Sequence, residues 1–142
     1  MPKMEDYRQA QIMTSTPMEL IIILYDECVK SLTSAEEAFS LTGNEKYQEI
    51  NNQLLHAQDI ITELSVSLDM EKGGEIAFNL QRLYDFMSRH LSYANIHKSV
   101  KHVSDVKAMA MELRDAWRQV AEKEPSKVDA DTGEEDKLCG AA

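Results

Sequence analysis

Four times along the chain, large apolar residues recur at alternating intervals of three and four, the period that keeps them on one stripe of an α-helix. Ile21, Tyr25, Cys28, Leu32, Ala35 and Phe39 carry the first stripe; Tyr47, Ile50, Leu54, Ala57, Ile61, Leu64 and Leu68 carry the second. Ala77, Leu80, Tyr84, Met87, Leu91 and Ala94 form the third, and Val103, Val106, Ala110, Leu113, Trp117 and Val120 the fourth. Four helices of about 20 to 25 residues with short joins predict an all-α fold, an antiparallel up-down four-helix bundle. Five Gly and three Pro in 142 residues are too few for the frequent tight turns of an all-β sandwich or barrel.

Local signals place the ends. Thr16 reads as an N-cap, with Pro17 at the first helical position and Glu19 closing a capping box, so the first helix runs from Pro17 to about Leu41 and stops at Gly43. The second spans roughly Asn44 to Leu68, with Gly73-Gly74 as its stop. The third lies beyond the two glycines and ends near Asn95, and Ser99 caps the fourth. This gives a short N-terminal arm over 1–16, a bundle domain over 17–121 and an acidic tail over 122–142. The tail carries seven acids against three bases and too little apolar surface to offset its chain entropy, so it is expected to be disordered.

The formal net charge is −10, which disfavours nucleic acid as a partner. The longest uninterrupted apolar run, Leu20 to Tyr25, is far short of the ~20 residues a membrane span needs. No apolar signal core follows the N-terminus, and a cytosolic protein is expected. Cys28 and Cys139 are expected as free thiols.

Chemistry-bearing patterns are sparse. Di-iron bundles use Glu-x-x-His pairs, and here Gln53, Met87, Ala94 and Ser99 stand three before the four histidines. Cys28 is on a core stripe, where a thiol is inert. Gly73-Gly74 lacks the strand and Lys of a nucleotide fingerprint. No enzyme, metal or cofactor is expected. His97, Lys98, Lys101, His102 and Lys107 form a modest basic cluster, which on most proteins is a solvated face and here could receive an acidic partner.

Some large apolar residues remain unexplained by the four stripes. At 100° per residue, Ile23 lies about 200° round from Ile21, and Leu20 about 260°. Leu55 and Val66 share an off-stripe line of the second helix, and Phe78, Phe86 and Tyr93 lie more than about 120° from the third stripe. A second apolar seam implies cover from the arm, through Tyr7 and Ile12, or from an irregular bundle geometry, or a groove that receives an amphipathic partner segment, and the arm can fill that groove when no partner is there. Self-association through the same seams, giving a homo-oligomeric structural bundle, is the rival reading.

The residues also carry a family resemblance. Tyr7-x-x-x-Gln11-Ile12-x-Thr14-x-x-Pro17-x-Glu19-Leu20-Ile21, running into Leu24-Tyr25-Asp26, resembles the opening of the flagellin export chaperone family, FliS. Ala57-Gln58-Asp59-Ile60-Ile61-x-Glu63-Leu64, Leu83-Tyr84-Asp85-Phe86-Met87-x-Arg89-x-Leu91 with Ala94-Asn95-Ile96, and Arg114-Asp115-Ala116-Trp117 are similar to the family in the same order. His90 stands where the family often shows a second Arg, and Glu27 where Gly is common. The resemblance implies a cytosolic export chaperone that binds the disordered C-terminal segment of flagellin, prevents premature polymerisation and assists flagellar type III secretion. It further implies an arm that can occupy part of the binding surface and be displaced. Export-gate components, an anti-sigma factor or a co-chaperone are further partners to consider, and the chain is expected to be a monomer or weak dimer. With the apolar excess, it yields a partner surface of Tyr7, Ile12, Leu20, Ile23, Leu55, Ile60, Phe78, Phe86 and Tyr93.

Overall fold

The computed structural model describes residues 17–123. The expected cap Thr16, the arm with Tyr7 and Ile12, and the acidic stretch after Lys123 lie outside the described residues. Four helices follow one another: α1, Pro17–Ala38; α2, Asn44–Val66; α3, Met70–His97; α4, Val100–Lys123. Among the described residues none of these is long and apolar enough to cross a membrane.

The joins differ from the sequence reading in several places, for local reasons. α1 ends at Ala38 rather than Leu41, because the amides of Phe39, Ser40 and Leu41 bond carbonyls three residues back and tighten the last turn. Gly43, expected to stop α1, instead caps the start of α2 with φ 75° and ψ −166°, a conformation only glycine adopts readily. α3 starts at Met70, ahead of the glycine pair, since the Asp69 carboxylate accepts from the amides of Glu71 and Lys72 at 3.1 and 3.0 Å. Gly74 then breaks the helical path with φ 54° and ψ −127°, so the glycines mark a kink inside α3 and not a linker before it.

The far end of α3 runs to His97, two residues past the expected limit. Lys98 closes it in the left-handed conformation (φ 49°, ψ 53°), and its Nζ donates to Asn95 Oδ1 at 2.6 Å. Ser99 caps α4 as expected, its Oγ accepting from the His102 amide at 3.4 Å and pairing with His102 Nδ1 at 2.6 Å.

Neighbouring helices run antiparallel, as cross-helix bonds show by their order. From α1 to α4, Asp26 accepts from Arg118 and Arg114 at 2.8 and 3.4 Å, while ten residues further along Glu36 accepts from Lys107 and Ser104 at 2.8 and 2.6 Å. From α2 to α3, Asn51 accepts from Asn95, Gln58 donates to Ser88 and Ser92, and Ser65 donates to Gln81, all within 2.7–2.8 Å. α1 packs closely on α2 and on α4, whereas α3 is held less intimately by α2 and least by α4.

Between them lies one core, with Leu32, Leu54, Leu64, Met87, Leu91 and Val106 fully buried. The expected stripes supply it with one exception. Tyr47 is 54% exposed, because it stands on the first turn of α2 beyond the end of α1; Lys46 and Lys98 place ammonium groups over its ring instead, at 5.7 and 6.0 Å. Cys28 is buried as expected, and burial pushes its thiol up to about 12, so it stays protonated and unreactive near neutrality.

The Glu36–Lys107 pair yields a pH prediction. Burial pushes the Glu36 carboxyl up, but the hydrogen bonds from Lys107 and Ser104 and the Lys107 charge outweigh it and hold the group below its ordinary value. A carboxyl whose value is lower folded than unfolded adds stability above its unfolded value, and that stability is lost as pH falls through the folded one. Replacing Lys107 with Ala should therefore cost about 0.5–1 kcal/mol at pH 7 and much less at pH 2–3, read from urea unfolding at both.

Candidate functional site

More than half of the exposed large apolar residues that the structure describes sit on α3. Those that matter most obey a helical period of their own. Ile76, Leu83, Phe86, His90 and Tyr93 follow at intervals of seven, three, four and three, which makes them a second seam beside the core seam of Ala77, Leu80, Tyr84, Met87 and Leu91. Ile76, Leu83, Phe86 and Tyr93 are 60%, 37%, 44% and 47% exposed, so this seam is left largely open.

It faces the edge of α4, where Met109, Leu113 and Val120 are partly buried against the core. The side is fixed by His90, whose Nε2 reaches Asp105 Oδ2 at 3.4 Å, and by rings that meet across the two helices. The His90 ring lies 5.0 Å from Phe86 and 4.4 Å from His102, and Tyr93 lies 4.4 Å from His102 and 4.1 Å from His97. Phe86, Arg89, His90, Tyr93 and His102 line a cleft of about 370 Å³ here. The result is a groove between α3 and α4, apolar toward the Ile76 end and aromatic with basic side chains toward the α3–α4 turn.

A second exposed apolar face lies on the other flank of α3. Phe78 and Ile96 are eighteen residues apart, five whole turns, and share one bearing; Leu55 and Val66 on α2 are exposed on the neighbouring helix. The Arg82 guanidinium lies 6.0 Å from the centre of the Phe78 ring.

The residues expected to receive a partner therefore do not form one patch. Phe86 and Tyr93 belong to the α3–α4 groove, and Leu55 and Phe78 to the α2–α3 face. Leu20 and Ile23, both partly buried, are on α1, diagonally across the bundle from α3. Ile60 corrects the sequence reading. It is 3% exposed, on the side of α2 opposite Gln58, which bonds α3; the close packing of α1 covers that side and makes Ile60 a core residue. Ile76, Leu83 and Ile96 were missed: Ile96 shares the bearing of Phe78, but Ile76 and Leu83 lie only about 50–70° from the core stripe, where the wheel does not separate them from it. The ring contacts of His90 and His102 left no sequence signal, because they depend on how two helices face each other.

Nothing in this site resembles a reaction centre. Among the described residues no three His, Cys, Asp or Glu side chains are grouped as a metal would need. What the site offers is apolar area in grooves shaped for a helix.

The sequence model of the family described as flagellar protein FliS matches residues 1–124. The chain belongs to the FliS family. Among its FliS relatives, the flagellar secretion chaperone FliS of Bacillus subtilis is 33% identical over 118 residues, covering 83% of this chain and 85% of the relative. That of Salmonella typhimurium is 34% identical over 116 residues, covering 81% and 84%. A crystal structure described as a flagellar chaperone from bacteria superposes with a TM-score of 0.69 at 25% identity, covering 87% of this chain and all of the other. FliS proteins are chaperones of flagellar secretion and not enzymes. Membership also favours the chaperone over a self-associating structural bundle.

Proposed function

We propose that this FliS protein acts in the cytoplasm as an export chaperone that holds the C-terminal segment of flagellin, with the groove between α3 and α4 as the principal seat. The single observation that carries the reading is the heptad-spaced seam of Ile76, Leu83, Phe86 and Tyr93, exposed along the side of α3 toward α4, the neighbour that packs on it least closely. A bundle helix needs one buried seam. A second, left open along a groove, is the complement of an amphipathic helix. The α2–α3 face, with Leu55, Phe78 and Ile96, takes a further part of the same client. A client sequestered in this way cannot use its own apolar side to polymerise.

Binding of this kind is coupled folding. The client exchanges chain entropy for burial of about 1,000–3,000 Å², less about 2–5 kcal/mol of ordering cost. Calorimetric titration of the full chain with the flagellin C-terminal segment, repeated at several temperatures, tests it. The expected result is saturable binding with a clearly negative heat-capacity change, alongside a gain of helical circular dichroism by the client. Absence of binding, or binding with no heat-capacity change, would overturn the reading.

A further inference from the structure

The basic end of the α3–α4 groove adds something that an apolar seat does not explain. Arg89 lines the cleft beside Phe86 and Tyr93, and its Nε donates to the Asp85 carbonyl of its own helix at 3.3 Å. No carboxylate among the described residues pairs with its guanidinium. Lys101, exposed one residue before His102 in the first turn of α4, makes no ion pair among them either. By contrast, Arg114 and Arg118 share Asp26 and Asp115, and Lys107 has Glu36. The carboxylate in contact with this ring cluster, Asp105, is engaged with His90.

Arg89 thus sets an unpaired positive charge in the lining of an aromatic cleft on a chain whose formal net charge is −10. It borders the half-exposed rings of Phe86 and Tyr93, and Lys101 stands in the N-terminal turn of α4, whose backbone dipole also favours negative charge. Resting on the flagellin reading above, we infer that the stretch of client lying at this end of the groove is anionic. Its carboxylates face Arg89 and Lys101, around an apolar side chain seated against Phe86 and Tyr93. The apolar Ile76–Leu83 end carries the uncharged part of the helix, so the groove has a polarity and admits the client in one direction.

The test is a titration of the full chain with the flagellin C-terminal segment at low and moderate salt, using Arg89→Glu, Lys101→Glu and Arg89→Lys variants. Lys30→Glu, on the exposed outer side of α1, serves as a control of equal charge change. Both groove reversals should weaken binding by about tenfold or more at low salt and flatten its salt dependence, while Arg89→Lys retains most of the affinity and the control stays within about twofold of the parent. Client binding by Arg89→Glu and Lys101→Glu that equals or exceeds the parent's would overturn the inference and leave the flagellin reading standing. Equal losses in the control would overturn it too, by reducing the effect to net charge. A parent chain that fails to bind the segment would overturn the flagellin reading itself.

Discussion

Phe86→Asp should lower affinity for the flagellin C-terminal segment by roughly 30-fold to several hundredfold, the range for a central aromatic anchor worth about 2–4 kcal/mol. Phe86 is the middle residue of the exposed α3 seam, with Leu83 one turn before it and Tyr93 two turns after. A docked helix would cover it completely. Substituting a carboxylate there loses the apolar contact and obliges either a buried charge or a displaced client. Because the ring is already 44% exposed in the free protein, the substitution should cost little fold stability, and the thermal midpoint is the control. Leu83→Asp should act in the same direction. Unchanged affinity in both folded variants would remove the α3–α4 groove as the client's seat.

The second large effect concerns the core. The hydroxyls of Tyr25 and Tyr84 are hydrogen-bonded to each other between α1 and α3, at 0% and 1% exposure. This polar pair ties the loosest helix to the most tightly packed one. Tyr25→Phe should destabilise the fold by about 1–3 kcal/mol, because it strips a partner from a buried hydroxyl without giving water access to it. Tyr84→Phe should do likewise, and the double variant should cost less than the two together, leaving a coupling of about 1 kcal/mol in urea unfolding. Additive losses would show that the two hydroxyls do not depend on each other. Burial pushes the Tyr25 hydroxyl up to about 12, above its unfolded value, so the folded state favours the protonated form. The corresponding stability is complete below the unfolded value near 10 and declines as pH rises from there toward 12.

Much of this was legible before any coordinates. The three-four period found the core because a helix repeats every 3.6 residues whatever surrounds it, and Tyr25, Leu54, Met87 and Val106 lie where it put them. The period could not place the start of α3. There a glycine pair, the strongest breaker signal in the region, competes with an Asp69 cap, and the cap wins because Gly74 absorbs the strain as a kink. Ending α3 at Asn95 also hid Ile96, five turns after Phe78. Tyr47 and Ile60 erred in opposite directions for one reason: periodicity gives a bearing on a helix and says nothing of how closely the neighbour on that bearing approaches. The groove itself needed that knowledge. Which off-stripe residues are open follows from α4 standing back from α3, and from α1 closing over the Ile60 side of α2.

The modest grip on α3 has a kinetic corollary. Amide protons on that helix should exchange with solvent sooner than those of α1, since a segment with fewer neighbours opens at lower free energy. Occupying both of its flanks would slow that exchange, so the guest completes a packing shell that its host leaves unfinished, and departure restores the breathing. A carrier made this way releases cargo without unfolding itself.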